Sequence, residues 1–301
     1  MNMSSILKSL RIRQWTKNIV IFIGIAYSGN ALDWLYLQYS LQIFLAFCLV
    51  SSAVYLANDI IDRKRDRLHP QKKYRPIASG KLSPELASGI ALGLAVVSLY
   101  ISSRLSDAWI AISLYLILQF FYSVWLKHIY LIDVFCIAAG FSLRVLAGVW
   151  VIDIPASPWL VACTVQLALF LALCKRRAEV GKIGSAKNVY DQRPTLSTYQ
   201  SPATDLFVVI MAASTLITYT LYTLLPASVL TDGNPGLESR AGLTGMVFTL
   251  PFAYYGVMRY LHLVYSEGKG ERPDRLATMD KHLIACALGF AVTAGYLIYV
   301  R

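Results

Sequence analysis

The run Leu41-Gln42-Ile43-Phe44-Leu45-Ala46-Phe47-Cys48-Leu49-Val50-Ser51-Ser52-Ala53-Val54-Tyr55-Leu56-Ala57 leads directly into Asn58-Asp59-Ile60-Ile61-Asp62-Arg63-Lys64-Arg65-Asp66-Arg67-Leu68-His69-Pro70. The first part is apolar and has the length of a membrane crossing, which takes about 20 residues. The second part places three carboxylates and a carboxamide at the end of that crossing. On a helix turning about 100° per residue, Asp59, Asp62 and Asp66 fall on one face, with Asn58 and His69 beside them. Eight lysines and arginines lie between Arg63 and Lys81. Anionic oxygens among bases point to a hard cation that holds a phosphate-bearing substrate, because Mg²⁺ takes few carboxylates and keeps its other positions for substrate oxygens. A solvated loop at a membrane face accounts for the bases, but it does not require acids at i, i+3 and i+7.

The rest of the chain has the same character. Its 301 residues are 56% hydrophobic, with a mean hydropathy of +0.53 and a net charge of +11. Nine apolar segments are expected, near 19–35, 39–59, 84–102, 107–126, 130–150, 157–174, 204–226, 241–262 and 282–300. The first is interrupted by Gly29-Asn30. The expected fold is an all-α polytopic membrane protein, a bundle of about nine transmembrane helices forming a single domain over 1–301. Placing the N-terminus in the cytoplasm puts nearly all loop bases on one side: Lys8 to Lys17, Arg63 to Lys81, Lys127, Lys175 to Arg193 and Arg259 to Lys281. Only Arg104, Arg240 and Arg301 fall on the other side, an asymmetry that fixes the orientation. The expected location is the inner (plasma) membrane, with the active site opening to the cytoplasm.

Met1 to Asn18 lacks the apolar core and the cleavage pattern of a signal peptide. The five cysteines (Cys48, Cys136, Cys163, Cys174 and Cys286) fall in apolar segments without metal-type spacing and read as packing residues. Nucleic acid is not an expected partner, because the bases line a membrane surface without a binding motif. Gly89 and Gly93 in the third segment would let helices approach closely, including those of a second copy.

Polar chemistry gathers on the expected cytoplasmic side. After Pro70 ends the helix, Gln71-Lys72-Lys73-Tyr74-Arg75-Pro76-Ile77-Ala78-Ser79-Gly80 forms a basic loop able to fold back over the acids. In it Arg75 offers bidentate contact to phosphate and Lys72 a movable charge. A second group follows the sixth segment: Lys175, Arg176 and Glu179, then Asp191, Arg193 and Tyr199. Lys175 and Glu179 stand at i, i+4, which an ordinary helix salt bridge also explains. Near the N-terminus, Arg13, Lys17 and Asn18 flank Trp15 at an interfacial position suited to a lipid phosphate. Asp133 and Arg144 lie eleven residues apart within the fifth segment, where ionisable groups are costly and face a partner or cavity. A last acidic group is Glu267, Asp274 and Asp280.

Asn58-Asp59-x-x-Asp62-x-x-x-Asp66 after a second apolar segment resembles the first aspartate-rich motif of the UbiA-type intramembrane prenyltransferase superfamily. The opening Arg13-Gln14-Trp15-x-Lys17-Asn18 is similar to the branch that includes decaprenyl-phosphate phosphoribosyltransferases. So are Arg67-x-His69-Pro70-x-Lys72-x-x-Arg75-Pro76, Lys175-Arg176-x-x-Glu179 and Arg193-Pro194-x-Leu196-x-x-Tyr199. The resemblance implies Mg²⁺ held by Asn58, Asp59, Asp62 and Asp66, with the three aspartates as the catalytic acids. It also implies substrate contacts from Arg13, Lys17, Asn18, Arg67, His69, Lys72, Arg75, Arg144, Lys175, Arg176, Glu179 and Tyr199. The implied reaction moves a phosphoribosyl group from 5-phosphoribosyl diphosphate (PRPP) to a polyprenyl phosphate, for use in cell-wall biosynthesis by family analogy.

The sequence departs from the wider superfamily in one place. The second Asp-x-x-x-Asp motif is missing after the sixth segment, where Lys175 to Glu179 stand instead. This disfavours the first alternative, an aromatic or isoprenoid prenyltransferase using a prenyl diphosphate. A lipid transporter, the second alternative, would need polar residues at both ends of the bundle, and the expected outside loops are short and nearly uncharged.

Overall fold

A computed structural model describes residues 3–181, 195–225, 245–270, 276 and 278–300. Among the described residues every regular element is helical. The chain opens with α1 (Met3–Leu10), a 3-10 helix (Ile12–Phe22) and the short α2 (Ile23–Tyr27). Next come α3 (Trp34–Ile61), α4 (Arg63–Leu68), α5 (Pro84–Ser102), α6 (Ala108–Val124) and α7 (Ile132–Trp150). The remainder holds α8 (Pro158–Gly181), α9 (Thr195–Thr198), α10 (Ala203–Leu224), α11 (Leu250–Tyr265) and α12 (Lys281–Tyr299). Helices α3, α5, α7, α8, α10 and α12 are long and apolar enough to cross a membrane. The protein is thus an all-α, multi-pass membrane protein.

Helix ends follow local chemistry. Asp33 caps α3, its Oδ1 accepting from the Leu35 amide at 2.8 Å. Ser83 caps α5 by accepting from Leu86, with Pro84 in the first turn, where its missing N–H costs nothing. Asp280 caps α12 through the Leu283 amide at 3.0 Å.

The described residues form two compact units. The first comprises residues up to 25 and 33–156, and the second 26–32 and the residues from 157 on. In the first unit α3 is central and packs against α1, the 3-10 helix, α5, α6 and α7. Ile43, Phe47, Val50 and Leu56 of α3 are fully buried. Leu92, Val96 and Tyr100 of α5 are exposed, and Gly89 and Gly93 of the same helix have open space around them. In the second unit α8 packs on α10 and α11 on α12, and Tyr27, Met246, Ala294 and Leu297 form one cluster.

The first apolar segment differs from its expected form. In place of one crossing over 19–35, eleven residues from Ile12 form a 3-10 helix. Runs of that geometry longer than three or four residues are uncommon, because its hydrogen bonds are poorer. Tertiary contacts impose it here. A methyl group on Gly148 of α7 would stand 1.9 Å from the Ile21 carbonyl oxygen, and one on Gly24 would stand 2.7 Å from the Gly148 carbonyl oxygen. The two backbones cross at a distance that only glycine permits. On the α3 side, Trp15 Nε1 donates to Ser52 Oγ at 3.0 Å, and that hydroxyl contacts the Leu10 carbonyl at 2.9 Å.

Candidate active site

Helix α3 ends at Ile61, and the amides of Asp62 and Asp66 still bond four residues back, to Asn58 and Asp62. The helical turn therefore continues through the acids, and Asp59 and Asp66 lie two turns apart. Both are buried, each 2% exposed. A single nitrogen, Arg75 Nη1, donates to Asp66 Oδ2 at 2.7 Å and to Asp59 Oδ1 at 3.0 Å. Arg11 Nη2 reaches the same Asp59 oxygen at 2.5 Å. Asp62 turns elsewhere and accepts from Lys127 Nζ at 2.9 Å.

The loop after α4 returns to the acids because Ile77 anchors it. Ile77 is fully buried against Leu56, Leu82 and Ala87, a contact worth about 2–5 kcal/mol against truncation to alanine. Arg67 Nε holds the Ala78 carbonyl at 3.1 Å. His69 Nδ1 accepts from the Gln71 and Lys72 amides, which closes the turn that starts the return. Lys72 lies half-buried in that turn.

Two residues at this site escape motif reasoning. Arg11 joins α1 to the 3-10 helix at φ 51° and ψ 47°, a left-handed conformation that sends its guanidinium back over the Tyr55 ring, 4.8 Å away. Lys127 sits in the 3-10 turn Leu126–His128 and is 6% exposed. Leu131, at φ 64°, then turns the chain into α7. The one sequence signal for Lys127 is its position as the lone lysine or arginine between the fourth and fifth apolar segments.

Arg144 and Asn18 lie together within the apolar part of the first unit. Asn18 is fully buried, and its Oδ1 accepts from Arg144 Nε at 2.7 Å while its amide nitrogen donates to Cys48 Sγ. Arg144 also donates to the Gly140 carbonyl at 2.6 Å and to Tyr115 Oη at 3.0 Å. The rings of Tyr115, Phe141 and Phe47 surround its guanidinium at 4.7, 5.5 and 5.8 Å. A charge at mid-helix costs about 2.5–3.5 kcal/mol on insertion scales. Three hydrogen bonds from a charged donor, at about 1.5–3 kcal/mol each, outweigh that cost. Asp133 is buried in the first turn of the same helix. Arg13 is exposed, and Lys17 and Trp15 are half-buried.

The second unit has its own charged groups. Arg176 is 2% exposed and donates to Glu179 Oε2 at 2.6 Å, while Lys175 Nζ stands 3.8 Å from the other oxygen. Tyr199 is fully buried, and its carbonyl accepts from Thr204. Arg177 and Tyr265 both donate to Asp205. Glu267 and Asp280 gather around Arg259, which donates to Asp280 at 2.7 Å. The Lys269 ammonium holds the Glu267 carboxyl below its usual range, and the Arg259 guanidinium holds that of Asp280 down at about 2. Asp191, Arg193 and Asp274 lie outside the described residues.

The acids suit a small hard cation that shares its shell with phosphate. The Arg75 nitrogen already occupies a cationic position between the buried carboxylates of Asp59 and Asp66. Among the described residues no three acidic, histidine or cysteine side chains enclose a metal ion by themselves. A ligand must complete such a shell, which is the habit of Mg²⁺.

Residues 18–267 match the model of the UbiA prenyltransferase family. The chain belongs to that family. Among UbiA proteins it is 30% identical to a decaprenyl-phosphate phosphoribosyltransferase of Mycolicibacterium smegmatis, over 98% of this chain and 93% of the relative. It is 31% identical to a protein of the same name from Corynebacterium glutamicum, over 98% and 86%. A UbiA homologue from Archaeoglobus fulgidus, solved with DMAPP and Mg²⁺, shares the fold at a TM-score of 0.71 and 17% identity, covering 98% of this chain and 99% of that one. As a UbiA protein, the chain is a membrane-embedded transferase.

Proposed function

We propose that this UbiA enzyme transfers a 5-phosphoribosyl group from PRPP to a polyprenyl phosphate, releasing diphosphate. The observation that carries the reading is the cationic position between two buried carboxylates, filled by a nitrogen of Arg75. It supports a site that takes a divalent cation and a diphosphate together. The full-length likeness to the two phosphoribosyltransferases supports the choice of donor.

Asn58, Asp59, Asp62 and Asp66 would hold Mg²⁺, which when bound adds positive charge to the leaving diphosphate. Lys72 and Arg75 bind phosphate oxygens, Arg75 with two donors at once. Arg67 and His69 shape the loop that carries them. By the same likeness Lys175, Arg176, Glu179 and Tyr199 are the substrate-binding residues of the second unit, the two bases suited to phosphate. Arg13 and Lys17 meet the lipid phosphate, and Asn18 and Arg144 set the position of their segment. The bond from the anomeric carbon to the diphosphate breaks with its electron pair leaving on the diphosphate. A lipid phosphate oxygen forms the new bond from the opposite face, with inversion. That oxygen is already anionic, so positioning and charge stabilisation carry the catalysis and no general base is needed. The asymmetry of the basic loops supports a site that opens to the cytoplasm from the inner membrane.

The test is a transfer assay with purified protein, Mg²⁺ and polyprenyl phosphate. Label from PRPP should enter the lipid phase and EDTA should stop it. Label entering an aromatic acceptor from a prenyl diphosphate instead would place the enzyme in the other branch of the family.

A further inference from the structure

Each acid of the cluster already has a cationic partner. Asp59 has Arg11 and Arg75, Asp66 shares Arg75, and Asp62 has Lys127. Three carboxylates thus face three cations. Half of these groups are sheltered: the side chains of Asp59 and Asp66 are 3% exposed and that of Lys127 8%, while Arg11 and Arg75 keep 28% and Asp62 29%.

A bare dication approaching this cluster meets no net negative charge. It must displace the Arg75 nitrogen from two carboxylates at once, and the displaced guanidinium then stands beside it as a like charge. Among the described residues the acids also give it no enclosing set of three ligands. A dication arriving on a diphosphate meets a different balance. The diphosphate brings the missing oxygens and more negative charge than the metal's positive charge. It also gives Arg11 and Arg75 new acceptors to replace the carboxylates they give up. Arg11 is built for such an exchange, because its guanidinium rests on the Tyr55 ring and stays held after the carboxylate is released.

We infer that the acid cluster accepts its divalent cation only together with the diphosphate, and that Arg11 and Arg75 are the groups that exchange carboxylate for phosphate when it arrives. Lys127 stays on Asp62 and keeps that carboxylate aligned. The inference rests on the proposed function only in requiring a diphosphate, whatever group the diphosphate carries.

Equilibrium dialysis of labelled Mn²⁺ against the full chain in lipid nanodiscs tests it, with and without inorganic pyrophosphate. The wild-type protein should retain Mn²⁺ at least tenfold more tightly with pyrophosphate than without. Arg75→Gln should retain Mn²⁺ alone at least tenfold more tightly than wild type, and Arg11→Gln should do so by a smaller factor. Equal wild-type retention with and without pyrophosphate would overturn the order of entry while leaving the metal site in place. That comparison needs no variant to fold. Unchanged Mn²⁺ retention in folded Arg75→Gln and Arg11→Gln would overturn the exchange. No retention by wild type under either condition would overturn the metal site itself, and the proposed function with it.

Discussion

The charged groups at the end of α3 and at the end of α8 use the same residue types in opposite ways. Around α3 the partners come from far along the chain: Arg11 lies 48 residues from Asp59, and Lys127 lies 65 from Asp62. At the end of α8, Arg176 and Lys175 meet Glu179 three and four residues away on their own helix. Neighbours on one helix pair wherever the spacing allows, for a few tenths of a kcal/mol. Segments recruited from three places to one cluster must be held there by the fold. The first arrangement therefore needs the folded first unit to assemble it, whereas the second is local to one helix.

Substitutions break or sharpen this contrast by different amounts. Asp62→Asn should have the largest effect, lowering transfer by roughly 10²–10³-fold in the labelled assay. Full activity in that variant would remove the cluster from the chemistry. Arg144→Met should destabilise the first unit by about 2–4 kcal/mol, through the partners it leaves unpaired. Thermal unfolding in detergent measures this, and an unchanged midpoint would mean that the bonds of Arg144 to Asn18, Gly140 and Tyr115 add nothing to the stability of the first unit. Arg75→Lys keeps the charge but loses the planar two-donor grip, so the KM for the donor should rise about tenfold. Glu179→Gln should cost about 1–2 kcal/mol of stability, because the buried Arg176 loses a charged acceptor, and should raise that KM only a few-fold. A loss as large as that of Asp62→Asn would put the α8 group on an equal footing with the acids.

The smallest effect concerns pH. Asp280 is held at about 2 by Arg259, below its ordinary 3.8. Its contribution to stability is therefore complete above pH 3.8 and is lost as pH falls towards 2. The difference in unfolding midpoint between wild type and Asp280→Asn should stay constant from pH 7 to about 5 and shrink below 4. A difference that vanished already at pH 6 would assign the effect to another group.

Much of this was legible in the sequence. The length and polarity of the apolar runs locate α3, α5, α7, α8, α10 and α12, because a bilayer leaves little else for such runs to become. The spacing of Asp59 and Asp66, with Pro70 ending the helix and Arg75 beyond it, contains the returning loop. Other features depend on contacts between distant segments, which no local pattern records. The 3-10 geometry from Ile12 to Phe22 follows from Gly148 lying against Ile21, and Gly148 reads in sequence as one more small residue in an apolar helix. Arg11 looks like one base among several near the N-terminus, and its left-handed backbone alone turns it towards Asp59. Arg144 stands out as a charge within a membrane helix, but its partners Asn18 and Tyr115 come from two other elements.

The bond between Arg144 and Asn18 also has a consequence in time. The two residues are separated by 126 positions, so the bond cannot form until that much more chain has been made. At about 5–20 residues per second, the wait is about 6–25 s. Throughout it, the opening segment has neither the α7 backbone that shapes it nor the guanidinium that satisfies its buried carboxamide. For those seconds the opening segment can pack on α3, through Trp15 and Ser52, but its contacts with α7 must wait until that helix has been made.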